Sequence, residues 1–112
     1  MALKSDPAAV ARALTKIDGV KTVTRGWPKK PDALPCIAVA LSGESTAMAC
    51  DDASYLTEVE YYIRVFAQKR TECDRIANEA DDVLAALGYT RTFAWEDQGE
   101  TCRTDLRYTI TV

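Results

Sequence analysis

Residues 55–67 read Tyr55-Leu56-Thr57-Glu58-Val59-Glu60-Tyr61-Tyr62-Ile63-Arg64-Val65-Phe66-Ala67. In an extended chain side chains alternate between two faces. Tyr55, Thr57, Val59, Tyr61, Ile63 and Val65 then share one face, and Leu56, Glu58, Glu60, Tyr62, Arg64 and Phe66 share the other. The first set is apolar and belongs against a core. The second mixes charge with Tyr62 and Phe66, an odd surface for water alone. Aromatic enrichment marks subunit interfaces, and a covering loop is the other explanation. A strand this long with one apolar face needs partner strands beside it and helices over it.

The flanking sequence supplies both. On the C-terminal side, Thr71-Glu72-Cys73-Asp74 resembles a capping box with Asp in place of Glu. Cys73, Ile76, Ala77, Ala80, Val83, Leu84 and Leu87 then keep helical spacing until Gly88 stops the helix. Glu79, Asp81 and Asp82 lie off that stripe and do not converge on one side, so they read as a solvated surface rather than a cation site. Tyr89 to Trp95 reads as a strand, with Tyr89, Arg91, Phe93 and Trp95 together on one face. Residues 96–100 read as a turn. From Thr101 to Val112, Cys102, Thr104, Leu106, Tyr108, Ile110 and Val112 alternate with Thr101, Arg103, Asp105, Arg107, Thr109 and Thr111. The even-numbered set faces the core; the odd-numbered set faces water or a neighbouring subunit.

On the N-terminal side, Ser5-Asp6-Pro7 is a helix start. Val10, Ala13, Leu14 and Ile17 form an apolar stripe before Gly19, which predicts a helix over 7–18. Val20 to Trp27 favours a strand. Pro28, Pro31 and Pro35 make the next stretch irregular. Cys36 to Leu41 is an apolar run that reads as a strand. Residues 42–54 are small, polar and acidic and read as a long loop or hairpin tip, with Met48 a candidate adhesive contact. The element order is α-β-β-β-α-β-β in one α+β domain spanning 1–112. Two helices are expected to cover one face of a mostly antiparallel sheet.

Composition narrows the chemistry. The 112 residues contain no histidine. That removes the usual general base near neutral pH and any nucleophile system or zinc site that depends on imidazole. Cys36, Cys50, Cys73 and Cys102 contain no close pair of the C-x-x-C kind, so zinc has weak support. The first residues lack the apolar core of a secretory signal, and the thiols are expected to be free in a reducing compartment, with Cys36 to Cys50 the pairing to watch. The five glycines are isolated turn residues, so no phosphate-cradling loop is visible. No metal, cofactor or catalytic centre is expected. Carboxylates such as Glu58 and Glu60, on one strand face, have a spacing compatible with acid–base work, but paired acids on exposed strands are far more often solvated.

Net charge is −3, unevenly spread. Residues 1–35 carry seven Lys/Arg and three acids, whereas residues 36–112 carry seven and fourteen. The basic patch is Arg25, Lys29 and Lys30 around Trp27. An acidic pI of about 4.9 argues against a nucleic-acid binder. The uneven spread of charge suits head-to-tail contact between copies as well as an ordinary solvated surface.

Taken together, the amphipathic N-terminal helix, Val20–Trp27, Leu34-Pro35-Cys36-Ile37-Ala38-Val39, the acidic loop, Glu58 to Ala67, the helix Ile76–Leu87 containing Ala80-Asp81-Asp82-Val83-Leu84, and the closing hairpin to Val112 resemble a known family. The chain is similar to the tail terminator, or tail completion, proteins of long-tailed bacteriophages, of the minor tail protein U type. The likeness is one of architecture over nearly the whole chain. It implies a non-enzymatic structural protein that forms a ring, a hexamer in most members, on the end of the tail tube. Such a ring stops tube polymerisation and presents a surface to the head connector, in the host cytoplasm during assembly and then in the tail or neck of the virion. The implied partners are other copies of the chain, the tail tube protein and the head connector protein. No membrane is implied, and DNA only passes through the ring. The family pattern is packing rather than chemistry, so contact residues come from the strand faces and the charge map alone: Arg25, Lys29, Lys30, Met48, Glu58, Glu60, Tyr62, Arg64, Phe66 and Arg107. The rival readings are another head–tail joining protein, a small intracellular protein-binding module, and an enzyme built on Glu58 and Glu60.

Overall fold

The strand at 55–67 is the spine of a five-stranded sheet. The computed structural model describes residues 7–26, 33–49, 55–98 and 101–111. Its elements are α1 (Pro7–Leu14), β1 (Thr22–Arg25), β2 (Cys36–Ala49), β3 (Tyr55–Ala67), α2 (Arg70–Ala86), β4 (Thr90–Gln98) and β5 (Cys102–Thr111). The strand order is β1-β2-β3-β5-β4. Every pairing is antiparallel except β1 with β2, which is parallel. The fold is α+β, with two helices on a mostly antiparallel sheet. The molecule is elongated, 52 × 24 × 23 Å.

The core lies between the helices and the inward face of the sheet. Val59, Tyr61, Ile63 and Val65 of β3 are fully buried, beside Ile37 and Val39 of β2 and Leu106 and Tyr108 of β5. Val10, Leu14 and Ile17 from the N-terminal segment and Cys73, Ile76, Ala80 and Leu84 from α2 close over them. Burial of each large aliphatic side chain contributes roughly 1.5–3 kcal/mol. The even-numbered face of β5 is inward, as its alternation predicts. The Tyr108 hydroxyl is satisfied by donating to Asp81 Oδ1 at 2.7 Å.

Both helices differ in detail from the sequence reading. The α1 helix ends at Leu14 rather than at residue 18. There the Thr15 hydroxyl donates to the Arg12 carbonyl at 2.6 Å, and the Lys16 and Ile17 amides reach back three residues instead of four. This tighter winding still delivers Ile17 to the core. At the start of α2 no capping box forms. Lys69 is the N-cap, without a side-chain cap, and Arg70 opens the helix. Arg70 serves instead as a clamp: Nε meets Asp74 Oδ1 at 3.1 Å, Nη1 donates to the Asp97 and Arg103 carbonyls, and Nη2 donates to Thr104 Oγ1. It ties the helix start to the β4–β5 hairpin. At the other end Gly88, at φ +96°, takes the left-handed position. The Tyr89 and Gly88 amides reach the Leu84 and Ala85 carbonyls, a Schellman closure. Leu87 lies beyond the buried stripe and is exposed.

Two strands run further than their hydrophobic pattern shows. β2 continues to Ala49 through residues read as loop, pairing Glu44 with Val59 and Thr46 with Thr57. Backbone pairing does not need apolar side chains, and breaks in register at Leu41/Gly43 and Thr46/Met48 absorb the irregular sequence. Residues 50–54 of that segment, including Cys50, lie outside the described set. β4 includes Glu96, Asp97 and Gln98, read as turn, and it carries a bulge between Arg91 and Phe93. The bulge separates residues that the alternation had put together. Arg91 sits opposite inward-facing Tyr108, whereas Phe93 sits opposite Arg107 and Trp95 opposite Asp105, both on the outward face.

Candidate interaction face of the sheet

The helices cover one face of the sheet; the outward face holds the candidate site. Odd-numbered residues of β5 and even-numbered residues of β3 alternate away from the core by strand geometry. Register then sets the neighbours. Tyr62 lies opposite Arg107 and Arg64 opposite Asp105, and Arg107 is flanked on its other side by Phe93. The Arg107 guanidinium stacks between two rings, 4.8 Å from the Tyr62 centroid and 5.1 Å from that of Phe93. Arg103 lies over Trp95 at 5.3 Å. Such stacking leaves one side of each ring for a partner. Phe93 and Trp95 are 44% and 46% exposed, unusual values for large aromatics in a sheet. The shallow hollow around Tyr62, Arg64, Phe93 and Arg107 has a volume of about 370 Å³.

Asp105 organises the charges. Its Oδ1 lies 3.1 Å from Arg103 Nε and 3.3 Å from Arg64 Nε, and Arg103 also reaches Asp97 at 3.8 Å. Burial pushes the Asp105 carboxyl above its ordinary range, and the pull of Arg103 and Arg64 in the opposite direction is the smaller effect. Asp105 Oδ1, Arg103 Nε and Arg107 Nε are buried atoms without an aligned hydrogen bond among the described residues. The contacts of Asp105 with Arg103 and Arg64 are therefore coulombic. An unsatisfied buried polar atom costs about 1–3 kcal/mol.

The structure brings together Glu60, Tyr62, Arg64 and Arg107 on this face. Phe66 is on it too, but buried with Cys36, Ala38 and Leu34, so chain covers it. Arg25 is elsewhere, exposed at the end of β1. Met48 lies in β2 opposite Leu56, and Glu58 lies in β3 between Ser45 and Thr111; their side chains are outside the described set. Lys29 and Lys30 are also outside it. Phe93, Trp95, Arg103 and Asp105 complete the face and were not among the residues singled out from sequence. The odd-numbered alternation of β5 signals Arg103 and Asp105, but no sequence signal reveals the bulge that turns Phe93 and Trp95 outward.

Among the described residues no group of three His, Cys, Asp or Glu side chains is placed to hold a metal. Burial raises the thiols of Cys36 and Cys73 above their ordinary range, which makes them poorer nucleophiles. Cys36, Cys73 and Cys102 are free thiols. No described helix is long and apolar enough to cross a membrane.

No family model matches the chain, and no curated protein does either. Among solved structures, its fold is similar to that of a chain from the virion of a native gene transfer agent particle. The TM-score is 0.53 and 20% of aligned residues are identical. The alignment covers 97% of this chain and 87% of the other, so the likeness of fold runs over most of both chains.

Proposed function

We propose that this chain is a non-enzymatic structural protein of a phage-type particle. Its role is that of a tail terminator, which caps the tail tube, ends tube polymerisation and forms part of the head–tail junction. The observation that carries this reading is the fold shared over 97% of the chain with a virion protein. The outward sheet face supports it. Trp, Tyr and Arg dominate binding hot spots, and here they occupy one surface, with Phe93 and Trp95 exposed among paired charges. The partners are further copies of the chain in a ring, the tail tube protein and the head connector protein. The host cytoplasm is the place of assembly and the tail or neck the final location. Few apolar residues among many charges make a transient interface, so the isolated chain is a weakly associating monomer that forms rings on the tube end or at high concentration.

The test is tube polymerisation with and without the purified chain, followed by electron microscopy. A terminator shortens or fixes tube length and adds density at one end. Unchanged length with no end density would sink the proposal. End binding without any control of length would favour the second reading, a different head–tail joining protein, which the same fold likeness supports because it specifies a virion and not a position within it.

A further inference from the structure

At the far edge of the sheet, one side of the β4 backbone is unpaired. β4 is outermost in the strand order, and no described strand lies beyond it. Thr90 to Glu96 are exposed at every position, so neither face of this strand is covered as the inward faces of β3 and β5 are. Thr90-Arg91-Thr92-Phe93-Ala94-Trp95 is rich in residues that favour extended backbone. An exposed edge of that kind is normally guarded by proline, by lysine or by a bulge. β4 has neither proline nor lysine, and its bulge falls between Arg91 and Phe93, which leaves Phe93 to Gln98 in regular register with β5.

The chemistry of that edge specifies what fits it. Along the outer side of an edge strand, N–H and C=O groups alternate at fixed spacing, and an extended polypeptide backbone matches that row. The helix side of β4 then sets the side chains. Ala94 lies opposite Leu106 and Glu96 opposite Thr104, so both are on that side. Between α2 and β4 is an open groove of about 560 Å³ lined by Ala77, Ala94 and Leu106. Because Ala94 is small, a large apolar side chain on an added strand can reach into the groove beside it. Next along the same face, Asp74 and Glu96 stand at the groove with one cation, Arg70, acting on both. Arg70 is already engaged by Asp74, the Asp97 and Arg103 carbonyls and Thr104. Two acids against one cation leave this end with an excess of negative charge, whereas at the other end Arg91 is balanced by Asp81.

We propose that β4 accepts an extended segment of a different protein as an added strand, with an apolar side chain in the α2–β4 groove and a Lys or Arg two positions away beside Glu96. The spacing follows from Ala94 and Glu96 sharing one face of the strand. Residues of the segment between those positions lie on the outward side, next to the Phe93 and Trp95 rings, where contact needs no particular residue type. The site reads a backbone and two side chains, and so it recognises a class of segment rather than a folded surface. This goes beyond the role proposed above and does not depend on it.

The probes are fluorescein-labelled, amidated peptides of nine residues, the length of β4. They are built of Thr and Val around a central Leu-Thr-Lys, or around Lys-Thr-Leu to allow for either strand direction. Each is titrated by fluorescence anisotropy against the full chain at low protein concentration. One of the two should bind, and hydrogen exchange should slow at the amides of β4 but not at those of β1. N-methylation of alternate peptide residues gives two phases. The phase that removes donors facing β4 should lose roughly tenfold or more in affinity, and the other should bind unchanged. Ala94→Phe fills the groove from an exposed position and should weaken binding by roughly tenfold as well. Glu96→Lys should weaken the Lys peptide severalfold and favour a peptide with Glu in its place, a preference that added salt erases. Circular dichroism confirms folding of both variants, and the methylation comparison needs neither. No binding by either peptide at about 1 mM, or equal loss from both methylated phases, overturns the proposal. So does protection of the β4 amides that grows with protein concentration in the absence of peptide, because a second copy then holds the edge. None of these results bears on the tube-end assay, which tests the terminator reading separately.

Discussion

The two faces of β3 and β5 share a backbone and differ in almost everything else. On the helix side, Val59, Tyr61, Ile63, Leu106 and Tyr108 are at most 2% exposed, and the Tyr108 hydroxyl is satisfied by Asp81. On the outward side, Tyr62, Arg64, Arg103, Asp105 and Arg107 are half-buried in each other's company, with ion pairs and stacked rings but unaligned hydrogen bonds. The helix side holds the fold together. The outward side is buried only at its Phe66 end, where Cys36, Ala38 and Leu34 pack, and elsewhere leaves the Phe93 and Trp95 rings exposed.

The sharpest way to break this comparison is to place a charge on each side of β5. Leu106→Asp buries an unpaired carboxylate and should cost about 3–5 kcal/mol or more, enough to unfold the domain. Thr109→Asp, opposite Glu60 on the outward side, adds a like-charge pair and should cost about 1 kcal/mol or less. Comparable losses of melting temperature for the two would mean that the register is wrong. Next in size is the double change Phe93→Ala with Trp95→Ala. Both rings are nearly half exposed, so the melting temperature should barely move, while under the proposed terminator role affinity for the tail tube or connector should fall by roughly 2 kcal/mol or more. Strong destabilisation instead would show that these rings support the fold.

What was legible follows from where alternation is enforced by burial. β3 and β5 could be read because each outward slip would expose Ile63 or Leu106, and α2 because Ile76, Ala80 and Leu84 must share a stripe. Residues 42–49 gave no such pattern: Ser42-Gly43-Glu44-Ser45-Thr46 offers nothing that burial could periodically select, and their strand is held by backbone pairing to β3. The Thr71 capping motif failed because Arg70 had stronger long-range partners in Asp97, Arg103 and Thr104. For the candidate face, Tyr62, Arg64 and Arg107 were visible as outward residues on two clean strands. Phe93 and Trp95 were misassigned because their apparent alternation with Tyr89 and Arg91 runs across a bulge.

Smaller changes sharpen the contrast further. Tyr108→Phe keeps the ring and leaves Asp81, itself partly exposed and 3.7 Å from Arg91, without its hydroxyl donor. The expected loss is about 1 kcal/mol, read by denaturant titration. The smallest effect belongs to Asp105. Because burial raises its carboxyl pKa in the folded chain, the folded state holds the proton more tightly than the unfolded state. Its contribution to stability is thus greatest below the unfolded carboxyl value near about 4 and is lost as pH rises through the folded value. Asp105→Asn removes that dependence. Relative to the variant, the wild type should lose at most about 1 kcal/mol between acid and neutral pH. A wild type that gains on the variant over the same range would mean that Arg64 and Arg103 outweigh burial.

The bulge in β4 has a consequence for how such a chain diversifies. A strand has only two side-chain phases, so one extra residue acts on a β-strand much as a frameshift acts on a codon: everything downstream changes phase. Between Arg91 and Phe93 that shift turns two aromatic rings from the helix side to the open side without altering any of their identities. A lineage could therefore gain or lose a docking surface by a single insertion or deletion near Thr92, with no substitution at all. Comparison of relatives by matched residue types alone would overlook the event, because the same Phe and Trp would be present on both sides of it.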